Sequence, residues 1–210
     1  MTVSQKFDCE TAVDIKERIE SVLKAEADAI NSIEVTEDFI AAVEIMYRCS
    51  GKIITTGIGK AGHIANKFAA TLCSTAAQAQ FLHPAEAAHG DLGAVSNGDI
   101  LIAFSTSGKS REVIEILELS RRLGVTTVIG VTSHPDSELR EYSDVVIDMG
   151  EIEEACPLGL TPTSSMAVML AISDALALSL MEKNNVTRED YGLRHHGGYL
   201  GRAARLDNHS

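Results

Sequence analysis

The sequence predicts an α/β protein: a doubly wound, five-stranded parallel sheet of flavodoxin-like order, preceded by N-terminal helices. Three observations carry this expectation. From residue 52 onward, short β-branched runs alternate with longer segments of helical period, the pattern of strands joined by helical crossovers. The runs are almost unbroken in apolar character, as in Ile100-Leu-Ile-Ala-Phe and Val128-Ile-Gly-Val, which burial on both faces of a parallel sheet requires. The 210 residues contain no repeat and no Pro/Gly/Ser linker that would divide them.

Taken in order, residues 8–33 carry Ala12, Ile15, Ile19, Val22, Leu23, Ala27 and Ile30 at helical spacing among charges. Residues 36–47 repeat the pattern behind Thr36, with Glu37 and Asp38 where a helix N-terminus favours acids. Strands are expected at 52–56, 78–82, 99–105, 126–132 and 144–148. Helices are expected at 60–77, 110–123, a short 137–142, and a last long one at 163–182. The domain plan is a helical segment, 1–34, packing on a domain, 35–202, with a tail, 203–210. Strand order 2-1-3-4-5 with right-handed crossovers puts a ligand beyond the carboxyl ends of the first and third strands. The loops to watch are therefore 56–62 and 105–110.

Composition narrows the function classes. With 45 % hydrophobic and 23 % charged residues, the chain has the make-up of an ordinary globule that folds without disulfide or metal staples, and whole-chain disorder is excluded. Thirty acidic against 18 basic side chains give a formal net charge of −12, a field that repels nucleic acid and anionic lipid. An anionic ligand must be gripped by a local positive site. The greasiest stretch, 166–181, is interrupted by Ser173, Asp174 and Ser179 and falls short of the ~20 residues of a span, so no membrane helix is expected. Residues 1–10 lack the apolar core of a secretory signal. Cys9, Cys49, Cys73 and Cys156 form no C-x-x-C pair, so neither a zinc cage nor a redox motif is expected, and the reducing cytoplasm is the expected compartment.

Two motifs point to an anion. Gly57-Ile-Gly-Lys-Ala-Gly62 has the form of a dinucleotide fingerprint, but the second strand ends Phe81-Leu-His83-Pro84, without the carboxylate that would hold a ribose. Ser105-Thr-Ser-Gly-Lys-Ser110 resembles the tail of a phosphate-binding P-loop, yet Ala103 stands where that loop needs its first glycine. Common to both is a Ser/Thr/Gly loop opening a helix, whose free N–H groups, hydroxyls and positive dipole end suit one phosphate. Capping by Ser110 alone would leave Ser105, Thr106 and Ser107 unexplained.

Five stretches together resemble the sugar isomerase (SIS) domain of D-arabinose 5-phosphate isomerases, over about residues 30–202: Thr56-Gly-Ile-Gly-Lys60, His83-Pro-Ala-Glu-Ala-Ala-His-Gly-Asp-Leu-Gly93, Ser105-Thr-Ser-Gly-Lys-Ser-Arg-Glu112, Glu154-Ala-Cys-Pro-Leu-Gly-Leu-Thr-Pro-Thr-Ser-Ser165 and His195-His-Gly-Gly-Tyr-Leu-Gly201. The second and fourth are long and specific, whereas the phosphate loop alone marks only the wider superfamily. The resemblance implies an α/β SIS fold and interconversion of D-ribulose 5-phosphate and D-arabinose 5-phosphate, a supply step for the Kdo sugar of lipopolysaccharide or capsule. It implies catalytic roles for Lys60, Glu112, Glu154 and His195. Substrate contacts are implied at Gly57, Gly59, Thr75, Ala76, His83 and His89, at Ser105, Thr106, Ser107, Gly108, Lys109 and Ser110, and at Thr161, Thr163 and Ser164. It further implies no required cofactor, an inhibitory zinc near His83, and a homotetramer. Two departures stand out. Relatives commonly continue into paired CBS modules, which are not expected here because the chain stops just after the last motif. His196 stands where the family usually has proline, leaving open which imidazole acts.

Aldose-ketose isomerisation moves a proton between C1 and C2 through an enediol, so it needs a base, a partner for the charged oxygen and a phosphate anchor, and no redox cofactor. Lys60 near a helix start sits at the unfavourable dipole end, which argues for a functional role such as oxyanion stabilisation. Glu112 in a first helical turn reads equally well as a dipole-stabilising acid. Glu154 shares an acidic run with Glu151 and Glu153, either a solvated loop or carboxylates raising one another's pKa. His89 and His195 are candidates for opening a furanose ring, and His195 lies far enough along the chain to reach a neighbouring subunit's site. The helix at 163–182 is apolar around most of its circumference, which fits a core helix or one shared between subunits. The rival readings are an isomerase of another phosphosugar and a non-catalytic phosphosugar sensor; a DNA-binding regulator would carry a basic helix-turn-helix.

Overall fold

Five short strands, β1 (Ile53–Gly57), β2 (Ala79–Phe81), β3 (Ile100–Phe104), β4 (Thr127–Thr132) and β5 (Val145–Asp148), pair in the order β2-β1-β3-β4-β5, every pair parallel. The computed structural model describes residues 13–205. The start of the first expected helix (8–12), the N-terminal stretch read for a signal, Cys9 and the end of the expected tail (206–210) lie outside the described residues.

Alternation along the strands builds the two layers of the core. Ile53, Ile100, Ile102, Phe104, Ile129, Val131 and Ile147 face the layer made by α2 (Glu37–Tyr47), α3 (Gly59–Ser74) and α7 (Ser164–Lys183). Ile54, Leu101, Ala103 and Val128 face α5 (Arg111–Arg122) and α6 (Glu138–Tyr142). Each such side chain, fully buried, contributes roughly 1.5–3 kcal/mol. Phe68 of α3 meets Phe104 edge to face at 5.7 Å, locking α3 to the centre of the sheet. By length and composition α7 could cross a membrane, but half of its most apolar window is buried inside the fold, against α3 and the N-terminal helices. It is a core helix.

Where the elements differ from expectation, the cause is local. Helix α3 stops at Ser74 instead of 77 because Thr75 turns its hydroxyl back onto Thr71 and Leu72 carbonyls and Ala76 adopts φ +69°. The loop after β2 holds a short helix, α4 (Pro84–Ala87), whose signals were His83 as N-cap and proline at the first position, followed by a 3₁₀ turn at Asp91–Ala94. Helix α7 is not the last. Two further helices, α8 (Arg188–Arg194) and α9 (Gly198–Arg205), follow it, and α9 runs into the expected tail. The overlooked signal was Thr187-x-x-Asp190, a reciprocal capping box. These two helices pack chiefly on each other. Helix α1 (Ile15–Asn31) begins at its Asp14 cap, lies along α7 and buries none of its own residues.

Candidate active site

The loops at the carboxyl end of the sheet meet where β1 and β3 lie side by side. Gly57 pairs with Phe104 in register, so the chain leaves both strands at the same level. A Cβ on Gly62 would lie 2.6 Å from the Gly57 carbonyl oxygen, which explains the glycine pattern there: the first turn of α3 rests directly on the end of β1. That packing sets Lys60, exposed, in the first turn of α3 beside the loop that follows β3.

That loop is rigid. Gly108 takes φ +62°; its N–H donates to the Ser105 carbonyl and its carbonyl accepts from Leu139. The Thr106 carbonyl accepts from Ser133 N–H and from the Thr132 hydroxyl. Ser105 and Ser110 hydroxyls pair at 3.0 Å, so Ser110 gives α5 no side-chain cap. Hydroxyls and unpartnered helix N–H groups thus converge at the tip of α5, where the dipole is positive. Glu112, in the first turn, lines a cleft of about 80 Å³ with Pro84, Ala85, Ala88 and Leu92, so it faces the segment that begins at His83. His83 spends Nδ1 accepting from Ala85 N–H at 3.2 Å. His89, exposed, lies just beyond α4.

On the other flank, Ser107 and Lys109 share a polar cavity of about 520 Å³ with Ser133, His134, Ser137, Asp148 and Glu151. Sequence reasoning did not select Ser133, His134, Ser137 or Asp148. Their signal was position alone, at the carboxyl end of β5 for Asp148 and beyond that of β4 for the others. The Ser133 and Ser137 hydroxyls in this wall are buried without a hydrogen-bond partner among the described residues.

The segment from β5 to α7 is organised around Glu154. Its carboxylate accepts from Thr163 N–H (2.7 Å), the Thr163 hydroxyl (3.3 Å), Ser165 N–H (3.5 Å) and the Ser165 hydroxyl. Glu154 therefore caps α7, whose own N-cap residue supplies no side-chain bond. Burial opposes ionisation, but these bonds, led by that from Ser165, outweigh it and hold the carboxyl below its usual 4.5. Of the two readings of the acidic run, carboxylates raising one another's pKa does not hold for Glu154: its donors outweigh burial, the opposing cause. Ser164 accepts from Ala155 N–H, and Arg18 of α1 donates to the Ala155 carbonyl. Thr161 directs its hydroxyl to the Cys156 sulfur, which with the N–H groups of Leu160, Thr161 and Leu158 brings that thiol down to about 6. Burial pushes Cys49 up. Iodoacetamide at pH 7 should therefore alkylate Cys156 well before Cys49, with the rate half-maximal near pH 6; equal rates would contradict this thiolate environment.

Two implied contacts are not brought together with the rest. Thr75 and Ala76 follow the last residue of α3, which runs antiparallel to the strands, so its 16 residues carry them ~24 Å to the opposite end of the sheet. There Ala76 lines a small cavity with Ser50 and Gln78, and Thr75 is a helix cap. Neither can touch a ligand at the Lys60 end of the same chain. His195, on the α8–α9 hairpin, stacks on Tyr191 at 4.0 Å and bonds the Tyr191 carbonyl through Nδ1.

A model of the SIS domain family matches residues 46–179. The chain belongs to the SIS domain family. It is 43 % identical over 179 residues to the arabinose 5-phosphate isomerase KdsD of Pseudomonas aeruginosa, covering 84 % of this chain and 55 % of the relative, so it spans about half the length of that curated protein. Among solved structures, a Bacteroides fragilis protein described as a phosphosugar isomerase involved in capsule formation superposes with a TM-score of 0.84 at 44 % identity, over 88 % of this chain and 98 % of the other. An Escherichia coli CFT073 protein in complex with arabinose 5-phosphate superposes with a TM-score of 0.83 at 35 % identity, over 87 % and 97 % of the two chains.

In this SIS domain the N-terminus of α5 offers hydroxyls and helix N–H groups to an anion, with Glu112 in the cleft against α4 on one side and Ser107 and Lys109 in the polar cavity on the other. A zinc site is another matter. Among the described residues no group of three or more His, Cys, Asp or Glu side chains is gathered to hold a metal, and His83 has already spent one ring nitrogen on its helix.

Proposed function

We propose that this SIS domain interconverts D-ribulose 5-phosphate and D-arabinose 5-phosphate, feeding Kdo supply for lipopolysaccharide or capsule. The observation that carries it is the N-terminus of α5, which Ser110 does not cap, with Ser105, Ser107 and Ser110 before it and Glu112 in its first turn, following β3 whose neighbour β1 leads into α3 with Lys60 in its first turn. The similarity to proteins named for arabinose 5-phosphate supports the choice of pentose.

In this reading the phosphate rests on the 105–110 loop and the open-chain sugar extends toward Lys60. The Lys60 ammonium stabilises the oxygen that gains charge in the enediolate. Glu112 relays the proton between C1 and C2, a contribution of ~10²- to 10⁴-fold. His89 assists ring opening. Glu154, its oxygens committed to four donors, acts as a positioning residue that fixes the 154–163 segment over the sheet. The isomerisation is redox-neutral within one molecule of substrate, and the proton held by Glu112 is free to exchange with solvent, so no redox cofactor takes part. The protein works in the cytoplasm.

His195 faces its own hairpin, so we assign it to the site of a neighbouring subunit in a tetramer. Mixing Lys60→Ala with His195→Ala protein, each nearly inactive alone, should restore turnover, because hybrid assemblies contain sites with both residues intact; no recovery after subunit exchange would sink this assignment. The reaction itself is tested by offering D-ribulose 5-phosphate, a hexulose 6-phosphate and a heptulose 7-phosphate to the purified protein. Arabinose 5-phosphate formed from the pentulose alone is the expected result. Turnover of a longer ketose would move the proposal to a sibling isomerase, and binding without turnover to a sensor.

A further inference from the structure

Helix α8 ends on an imidazole held at two points. Tyr191 and His195 lie four residues apart, about one turn, and their rings stack with centroids 4.0 Å apart and planes 17° from parallel. The Tyr191 carbonyl is one of the last four of α8, which lack the partners that mid-helix carbonyls have. The His195 backbone N–H does not take it, because that group reaches back only three residues, to the Gly192 carbonyl at 3.3 Å. The imidazole takes it instead, with Nδ1 3.0 Å from the oxygen.

A carbonyl oxygen only accepts, so Nδ1 carries a proton, and in the neutral ring the lone pair is left on Nε2. Nε2 makes no hydrogen bond among the described residues. The hairpin that presents it is tied at several places. Thr187 and Asp190 close the capping box at the start of α8, Arg194 donates to the Asp190 carbonyl at 2.7 Å, and Arg188 reaches the Ala203 carbonyl of α9 at 3.3 Å.

We propose that Tyr191 is a positioning residue that fixes His195 in its Nδ1–H form, so that Nε2 of His195, and not His196, exchanges a proton with a sugar hydroxyl in the neighbouring subunit's site. This deepens the isomerase reading and rests on it. The Nε2 lone pair takes the proton of the hydroxyl, leaving an alkoxide and an imidazolium, and giving the proton back restores both. The Nδ1–H bond to the carbonyl is kept in the neutral and in the charged ring, so the imidazole does not turn between the two halves of the exchange. What holds it is the face of the Tyr191 ring and a main-chain oxygen; the phenol hydroxyl makes no hydrogen bond among the described residues. Of the adjacent pair these contacts single out His195, half-buried, while His196 lies past the helix end, exposed.

The test reads the ring first and turnover second. In the solid-state ¹⁵N spectrum of histidine-labelled protein at mildly alkaline pH, the signals that vanish in His195→Ala should show Nδ1 protonated and Nε2 bare. Tyr191→Ala should lower kcat by on the order of 10- to 100-fold while KM changes by less than about twofold. Tyr191→Phe, which keeps ring and carbonyl, should recover most of that loss. Made in His195→Ala protein, Tyr191→Ala should lower the residual turnover no further, since both substitutions act through one ring. The opposite tautomer in the wild type, a loss confined to KM, no recovery with phenylalanine, or additive losses in the double variant would overturn the proposal. A wild type that leaves D-ribulose 5-phosphate unchanged would instead overturn the isomerase reading, and the tautomer would stand or fall by the spectrum.

Discussion

Gly108→Ala should cost the domain the phosphate seat proposed on the 105–110 loop. A Cβ at this position would lie 1.7 Å from the Ser137 hydroxyl and 2.6 Å from its Cβ, and the backbone stands at φ +62°, where an L side chain costs roughly 1–2 kcal/mol even in open space. The loop cannot retreat without breaking its bonds to Ser133, Leu139 and Thr132. We expect stability to fall by about 2 kcal/mol and kcat/KM by on the order of 100-fold, mostly through KM, since the seat binds phosphate in ground and transition states alike. Adding Ser137→Gly should recover part of the loss by removing the clash while the backbone strain remains. A variant with near-normal KM would mean that the 105–110 loop does not hold the phosphate.

Removing the Glu154 carboxylate should damage the fold before the chemistry. Glu154→Ala leaves two N–H groups and two hydroxyls without their acceptor at the start of a core helix, an expected loss of about 2 kcal/mol, read as a lower urea midpoint at unchanged slope. Glu154→Gln keeps one accepting oxygen and should lose less. Its turnover should drop by less than the ~10²- to 10⁴-fold expected for loss of a proton-transfer group. The pH dependence has a defined sign. The folded-state pKa lies below 4.5, so the stabilisation by Glu154 is fully present above that value and fades as pH falls through the lower, folded one. The stability gap between wild type and Glu154→Gln should be constant from neutrality down to about pH 4.5 and shrink below it. A gap that closes near neutrality, or near-total loss of turnover in Glu154→Gln, would return Glu154 to the role of base.

The parallel sheet was legible because β3 is buried on both faces and apolar throughout, while β1, equally buried, admits Thr55 and Thr56 only by donating their hydroxyls to the Ala65 and Leu82 carbonyls. That the 105–110 loop opens a helix was legible because serines and a glycine before an apolar helical period mark a helix start. Thr75 and Ala76 lie apart from the Lys60 end of their own chain for want of direction in the sequence: the sense of α3 decides which end of the sheet they reach. Glu154 could not be read from its acidic run, since its state depends on Thr163 and Ser165, nine and eleven residues away, folding back to meet it. On α1, periodicity revealed an apolar face, and only the fold shows that this face looks outward.

Turnover of D-ribulose 5-phosphate in heavy water tests the central claim most directly. The account predicts D-arabinose 5-phosphate carrying deuterium at C2, the enediol carbon that Glu112 reprotonates after its proton has exchanged with solvent, with the phosphate ester intact. Formation of ribose or xylulose phosphate, or recovery of ribulose 5-phosphate unchanged and unlabelled, would contradict it.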